Sequence, residues 1–149
     1  MQNSVSLSQY VKKRNGVALG ANRSMRNMLS RSLGAGSFPI FWHYWNPIWG
    51  YYLSRNMMKP LGLFLPSWLA VIFTFLVSGA LHDLAVSLVK WKVITFFTPW
   101  FAFMGIAVVL SKYLSISYRP YPWFVRASIN VLFIGSTLLV TYFVEGKYA

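Results

Sequence analysis

The stretch LGLFLPSWLAVIFTFLVSGALHDLAVSLV, residues 61–89, decides the fold class. Leu61 to Leu81 contains no charged residue, and the apolar character runs on past His82 and Asp83 to Val89. About 20 such residues are enough for an α-helix to cross the hydrocarbon core of a bilayer. A spanning helix is therefore expected at 64–89. Two further uncharged runs, Val93–Ser111 and Ala127–Val144, give spans at 93–114 and 124–144. The expected fold class is an all-α integral membrane protein with three transmembrane helices.

Composition points the same way. Of 149 residues, 56% are hydrophobic and 11% charged, against about 25% charged in an ordinary soluble domain. So few charges do not cover the surface of a soluble protein, which excludes a typical cytosolic globular enzyme. Fourteen Lys and Arg face two acids, Asp83 and Glu145, for a formal charge of +12. In a soluble chain that surplus suggests nucleic acid. Here the cations sit mostly between apolar runs, which suits anionic lipid headgroups instead; the expected partner is the lipid bilayer, with no nucleic acid. Absence of Cys excludes disulfides and thiolate chemistry. The two His and two acids have no metal-ligand spacing, and there is no glycine-rich phosphate loop or serine nucleophile elbow. No metal and no cofactor are expected.

Residues 1–36 form a basic segment without the apolar core of a signal peptide. Met25, Met28, Leu29 and Leu33 share one helical face and Arg23, Arg26 and Ser30 another, the pattern of an amphipathic helix lying on a membrane; a disordered basic tail is the alternative. Residues 37–149 are the membrane domain. Across the boundary, Leu33 to Ser54 is an uncharged but broken stretch holding Gly34, Gly36, Pro39, Pro47 and Gly50, in which eight of the fifteen residues 38–52 are aromatic. Pro47 lacks a backbone donor and pushes Asn46 out of the helical region, and a lipid-exposed span would leave that backbone unsatisfied. An interfacial or re-entrant segment is expected at 38–56. Helical spacing would put positions 38, 41, 42, 45, 49 and 52 on an aromatic face. Positions 39, 43, 46 and 50 would lie opposite, with His43 and Asn46 side by side.

Orientation follows from counting cations. Eight Lys and Arg precede the first span and three lie between the second and third, against Lys90, Lys92 and Lys147 on the other side. Positive residues stay inside, so the N-terminus is expected in the cytoplasm and the C-terminus on the opposite side.

His82 and Asp83 are the residues that cost most to place in a span. A central Asp costs about 2.5–3.5 kcal/mol on insertion scales, so intramembrane ionisable groups are candidates for function. Thr74, Ser78 and His82 are spaced by four and form one polar stripe, while Asp83 points elsewhere and is expected to bind an adjacent element. From the residues alone His82 is either a structural histidine bonded across the bundle or a working group. Asn46 either caps a kink in an aromatic belt or joins His82.

Two segments taken together resemble the membrane-bound O-acyltransferase superfamily. Phe41-Trp42-His43-Tyr44-Trp45-Asn46, running on through Tyr51-Tyr52 to Lys59-Pro60, resembles the Phe-(Trp/Tyr)-x-x-Trp-Asn signature of its sterol and diacylglycerol acyltransferase branch. Phe75 to Ser87 resembles that branch's histidine helix, in which His is followed by an acid. The 36 positions from Asn46 to His82 are similar to the spacing there, and the likeness covers residues 23–90. The resemblance implies transfer of an acyl group from a thioester, such as acyl-CoA, to a hydroxyl. It makes His82 the general base, a task an imidazole performs near neutral pH, and gives Asn46 the acyl carbonyl or the acceptor to orient. Asp83 and Ser78 would support them, and Arg31, Arg55 and Lys59 would meet the phosphates of acyl-CoA or lipid headgroups. Family members are several hundred residues long and enclose their tunnel with many helices. The resemblance therefore also implies a protein partner or homo-oligomer that completes the tunnel, or a non-catalytic subunit derived from the family.

Overall fold

A computed structural model describes residues 4–148; residues 1–3 and 149 and the side chains of 147 and 148, including the Lys147 counted for orientation, lie outside the described residues. Among the described residues all regular structure is helical. The chain runs through α1 (Leu7–Asn15), α2 (Ser24–Leu33), α3 (Phe38–Tyr44) and α4 (Pro47–Leu53). It continues through a π-helical turn (Ser54–Met58) into α5 (Lys59–Leu61), then α6 (Ser67–Lys90), α7 (Phe97–Tyr113) and α8 (Trp123–Tyr148). α6 and α7 form a tight hairpin, α8 lies against α7, and α3 packs against both α7 and α8.

α6 and the Trp123–Gly146 part of α8 are long and apolar enough to cross a membrane, by length and composition; α7 is apolar but shorter. It holds 17 residues, fewer than the 93–114 expected, because side chains of α6 capture its first turn. The Asp83 carboxylate accepts hydrogen bonds from the backbone N–H groups of Phe96, Phe97 and Thr98, and Ser87 Oγ accepts from the Ile94 N–H at 2.9 Å. Residues 93–96 are thereby spent on the turn. At the far end Ser115 takes a left-handed conformation, φ 51°.

Close approach within the hairpin is set by glycine. A Cβ on Gly79 would lie 2.5 Å from the Phe97 carbonyl oxygen, and one on Gly105 3.0 Å from Phe75 Cβ. The largest fully buried side chains, Phe38 and Phe41, come from the aromatic segment rather than from the long helices. Phe38 and Phe41 are buried with Ala35 and Val108, and the Phe38 ring stacks on Phe133 with centroids 4.6 Å apart. Phe38 and Phe41 are thus core residues rather than members of a surface belt. Fully buried Asn130 donates to the carbonyls of Leu33 (2.8 Å) and Ala35 (3.0 Å) and accepts from the Tyr118 hydroxyl. This ties the α2–α3 corner to α8.

In α2 the expected apolar face stands outward at Met25 and Leu29, while Ser32 is buried and its hydroxyl donates to the Met28 carbonyl. α1 lies within a stretch where the sequence reading expected no second helix. Its signal is the Ser6-Leu7-Ser8-Gln9 capping box: Ser6 Oγ accepts from Gln9 N–H and Gln9 Oε1 accepts from Ser6 N–H.

Candidate functional site

The aromatic segment does not run as one helix. Trp45 is extended (φ −71°, ψ 130°), Asn46 is left-handed (φ 40°, ψ 71°), and Pro47 opens a new helix with its fixed φ. The break rotates everything after it. The expected single aromatic face and the expected pairing of His43 with Asn46 are therefore overturned. Asn46 faces the same space as Trp42, Trp45 and Trp49, and His43 lines other clefts.

That shared space is a cavity of about 200 Å³ between α3–α4 and α6, lined by Trp42, Trp45, Asn46, Trp49, Gly50 and Leu53 on one side and Thr74, Phe75, Ser78, His82 and Phe101 on the other. Asn46 and His82 thus come together across 36 positions, and the Thr74–Ser78–His82 stripe forms one wall. Ser78 joins the two walls. Its buried hydroxyl accepts from Trp49 Nε1 at 2.9 Å, and its carbonyl oxygen lies 2.7 Å from His82 Nδ1. A carbonyl only accepts, so Nδ1 is the nitrogen that carries a proton here, and Nε2 is the one left to exchange a proton with a ligand. Phe101 and Phe97 pack beside the His82 ring, with centroids 4.9 and 5.7 Å away, and Trp49 meets it edge-on at 6.1 Å.

Asn46 is the N-cap of α4. Its Oδ1 accepts from the Trp49 N–H at 3.3 Å, and its own N–H donates to Met28 Sδ at 3.3 Å. With Oδ1 committed to the cap, the Nδ2 donors have no partner among the described residues. The indole N–H of Trp42 is also buried without one. Asp83 is buried and turned away from the cavity into the α7 turn, where Thr98 donates to Oδ2 from both N–H (2.8 Å) and Oγ1 (2.6 Å). Phe97 and Phe101 belong to the helix it caps, so the Asp83 carboxylate helps to place the two rings beside His82.

The three cations expected to act together do not. Arg55 and Lys59 line a cleft of about 510 Å³ with Lys13, Arg14 and His43, and Arg55 donates to the Tyr51 hydroxyl. Burial, then the charges of Arg14 and Lys13, lower the His43 pKa below the usual imidazole value. Arg31 is held elsewhere. It donates to the Arg14 carbonyl at 3.2 Å and lies over the Tyr44 ring, because α2 directs it toward the end of α1.

Sequence reasoning missed Trp49 and Phe101 as walls of the cavity. The four-residue step from Phe97 to Phe101 was visible, but the contact from Trp49 to Ser78 spans 29 positions and no local pattern encodes it. Compared with protein-family models, with curated proteins and with solved structures, the chain matches none.

Proposed function

We propose that this chain is a multi-pass integral membrane protein of the O-acyltransferase type, moving an acyl group from a thioester to a hydroxyl acceptor. Support for the membrane comes from exposure. Only 22% of the apolar window of α6 and 17% of that of α8 is buried inside the molecule, whereas the core helix of a soluble protein is mostly buried. Outward-facing Leu84, Leu88, Leu132 and Leu139 suit lipid as solvent. The positive-charge bias favours a cytoplasmic N-terminus and a C-terminus on the opposite side.

The observation that carries the chemistry is the cavity lined by both Asn46 and His82. With the thioester carbonyl seated there, His82 Nε2 takes the proton of the acceptor hydroxyl as its oxygen attacks the carbonyl carbon. Asn46 Nδ2 donates to the carbonyl oxygen as charge builds on it. When the carbon–sulfur bond breaks, the imidazolium returns the proton to the leaving thiolate. Arg55 and Lys59, with Lys13 and Arg14, form the cleft offered to the phosphates of an acyl-CoA. At about 200 Å³ the cavity is smaller than the usual ligand pocket of roughly 300–1,000 Å³, which fits a tunnel completed by a protein partner or second copy. A non-catalytic subunit is the second reading, favoured by the aromatic rings packed against His82.

The test is incorporation of labelled acyl groups into lipids and proteins of cells carrying wild type or His82→Ala. Loss of general-base catalysis should lower transfer by about 10²–10⁴-fold with membrane insertion unchanged. No wild-type transfer above background, with natural partners present, leaves the subunit reading. Full transfer by His82→Ala overturns the mechanism.

A further inference from the structure

We propose a second binding site, for a phosphate group, in the cleft between the α2–α3 corner and the α7–α8 loop. It does not depend on the acyl-transfer reading. The cleft has a volume of about 860 Å³, and its walls carry Arg31, Lys112, Arg119 and Arg126. No carboxylate answers these four cations. The chain has two acids; Asp83 is spent on the first turn of α7, and Glu145 lines a different cleft with Lys90 and Lys92. Arg126 has a buried Nε with no hydrogen-bond partner. The Arg31 guanidinium is held at the edge by the Arg14 carbonyl; the like charges of Lys112, Arg119 and Arg126 around one hollow repel one another unless an anion sits among them, and phosphate oxygens match guanidinium and ammonium donors best.

The cleft is built rather than incidental. Trp123 Nε1 donates to the Ser30 carbonyl at 3.0 Å, and Tyr118 N–H donates to the Gly36 carbonyl at 2.9 Å. A Cβ on Gly36 would lie 2.3 Å from Arg119 Cγ, so the glycine lets the Arg119 stem lie against the corner. The stem of Arg119 is thereby held before any ligand arrives, which lowers the ordering cost of binding. Exposed Ile40 and Ile116 at the same cleft would meet apolar parts of a glycerolipid. Two sources can supply the phosphate, an anionic phospholipid or a soluble phosphate ester.

The full-length protein in neutral detergent would be titrated with short-chain phosphatidylglycerol, read by native mass spectrometry, and with glycerol 3-phosphate, read by calorimetry. Lys112→Gln/Arg119→Gln removes two exposed cations and should weaken binding by about tenfold or more. Lys90→Gln/Lys92→Gln, with the same charge loss at the other cleft, should leave binding unchanged. Arg126→Gln should weaken binding independently. Phosphatidylglycerol bound without competition from glycerol 3-phosphate assigns the site to lipid; glycerol 3-phosphate bound with the same variant dependence assigns it to a soluble ester. The site is overturned if wild type binds neither probe, or if the two double variants behave alike.

Discussion

Asn46 puts two functions on one side chain: its oxygen holds the first turn of α4, and its nitrogen is left for the cavity. Asn46→Asp separates them. Aspartate caps a helix about as well as asparagine and tolerates left-handed backbone, but it has no amide donor. The fold should persist, with unchanged thermal unfolding in detergent, while acyl transfer falls by about 10²-fold; transfer at the wild-type rate would reduce Asn46 to a cap. Tyr118 titrates away from any chemistry. Burial pushes its phenol from 10.0 up to about 12. The unfolded chain therefore releases this proton first. The stability that depends on the neutral phenol is complete below pH 10 and is lost as pH rises toward 12. In thermal melts the advantage of wild type over Tyr118→Phe should shrink across that window; a constant gap would mean the phenol is not buried in the folded protein. His82 and Asn46 were legible as candidates from their surroundings in sequence. The division of labour within Asn46 was not, because it depends on which atom meets Trp49.

Between elements, the hairpin of α6 and α7 rests on Asp83 and Gly79. The partner of Asp83 was expected on an adjacent element, and it is the first turn of α7, where one carboxylate serves three backbone N–H groups and a hydroxyl. Asp83→Asn turns a donor toward those N–H groups. It should cost about 3 kcal/mol, release amide exchange at 96–98, and disturb the rings beside His82. Protected amides in the variant would show that α7 needs no cap. Gly79→Ala should also lower the melting temperature, since its methyl would collide with backbone and not with a yielding side chain; an unchanged melt would mean that the hairpin can open at no cost. The positions of the long helices followed from hydropathy. The short start of α7 did not, since residues 93–96 are largely apolar, and only the side chains of Ser87 and Asp83, 7 and 13 positions upstream of their partners, claim this backbone.

For the whole molecule, the expected three crossings meet a length problem in α7. Its 17 residues extend about 25 Å at 1.5 Å per residue, against about 30 Å of hydrocarbon. Lys112 and Tyr113 at its end, both exposed, can reach the interface by extending their side chains. The absence of native Cys makes every introduced thiol a unique probe. Ser4→Cys and Tyr121→Cys should label from the cytoplasmic side and Lys92→Cys from the other. Labelling of Lys92→Cys and Tyr121→Cys from the same side would mean that α7 does not cross.

The bonds from Asn130 to the carbonyls of Leu33 and Ala35 reach back 97 and 95 positions. On a ribosome adding about 5–20 residues per second, the α2–α3 corner therefore waits roughly 5–20 s for its partner. Through that interval the hairpin can already be inserted while Phe38 and Phe41 still lack Phe133. The core behind α3, where Phe133 packs against Phe38, is thus completed late. A nascent chain arrested before Asn130 should be cut by protease within 33–46, where the finished protein resists, so the vulnerable stage in making this protein is the time before its last helix emerges.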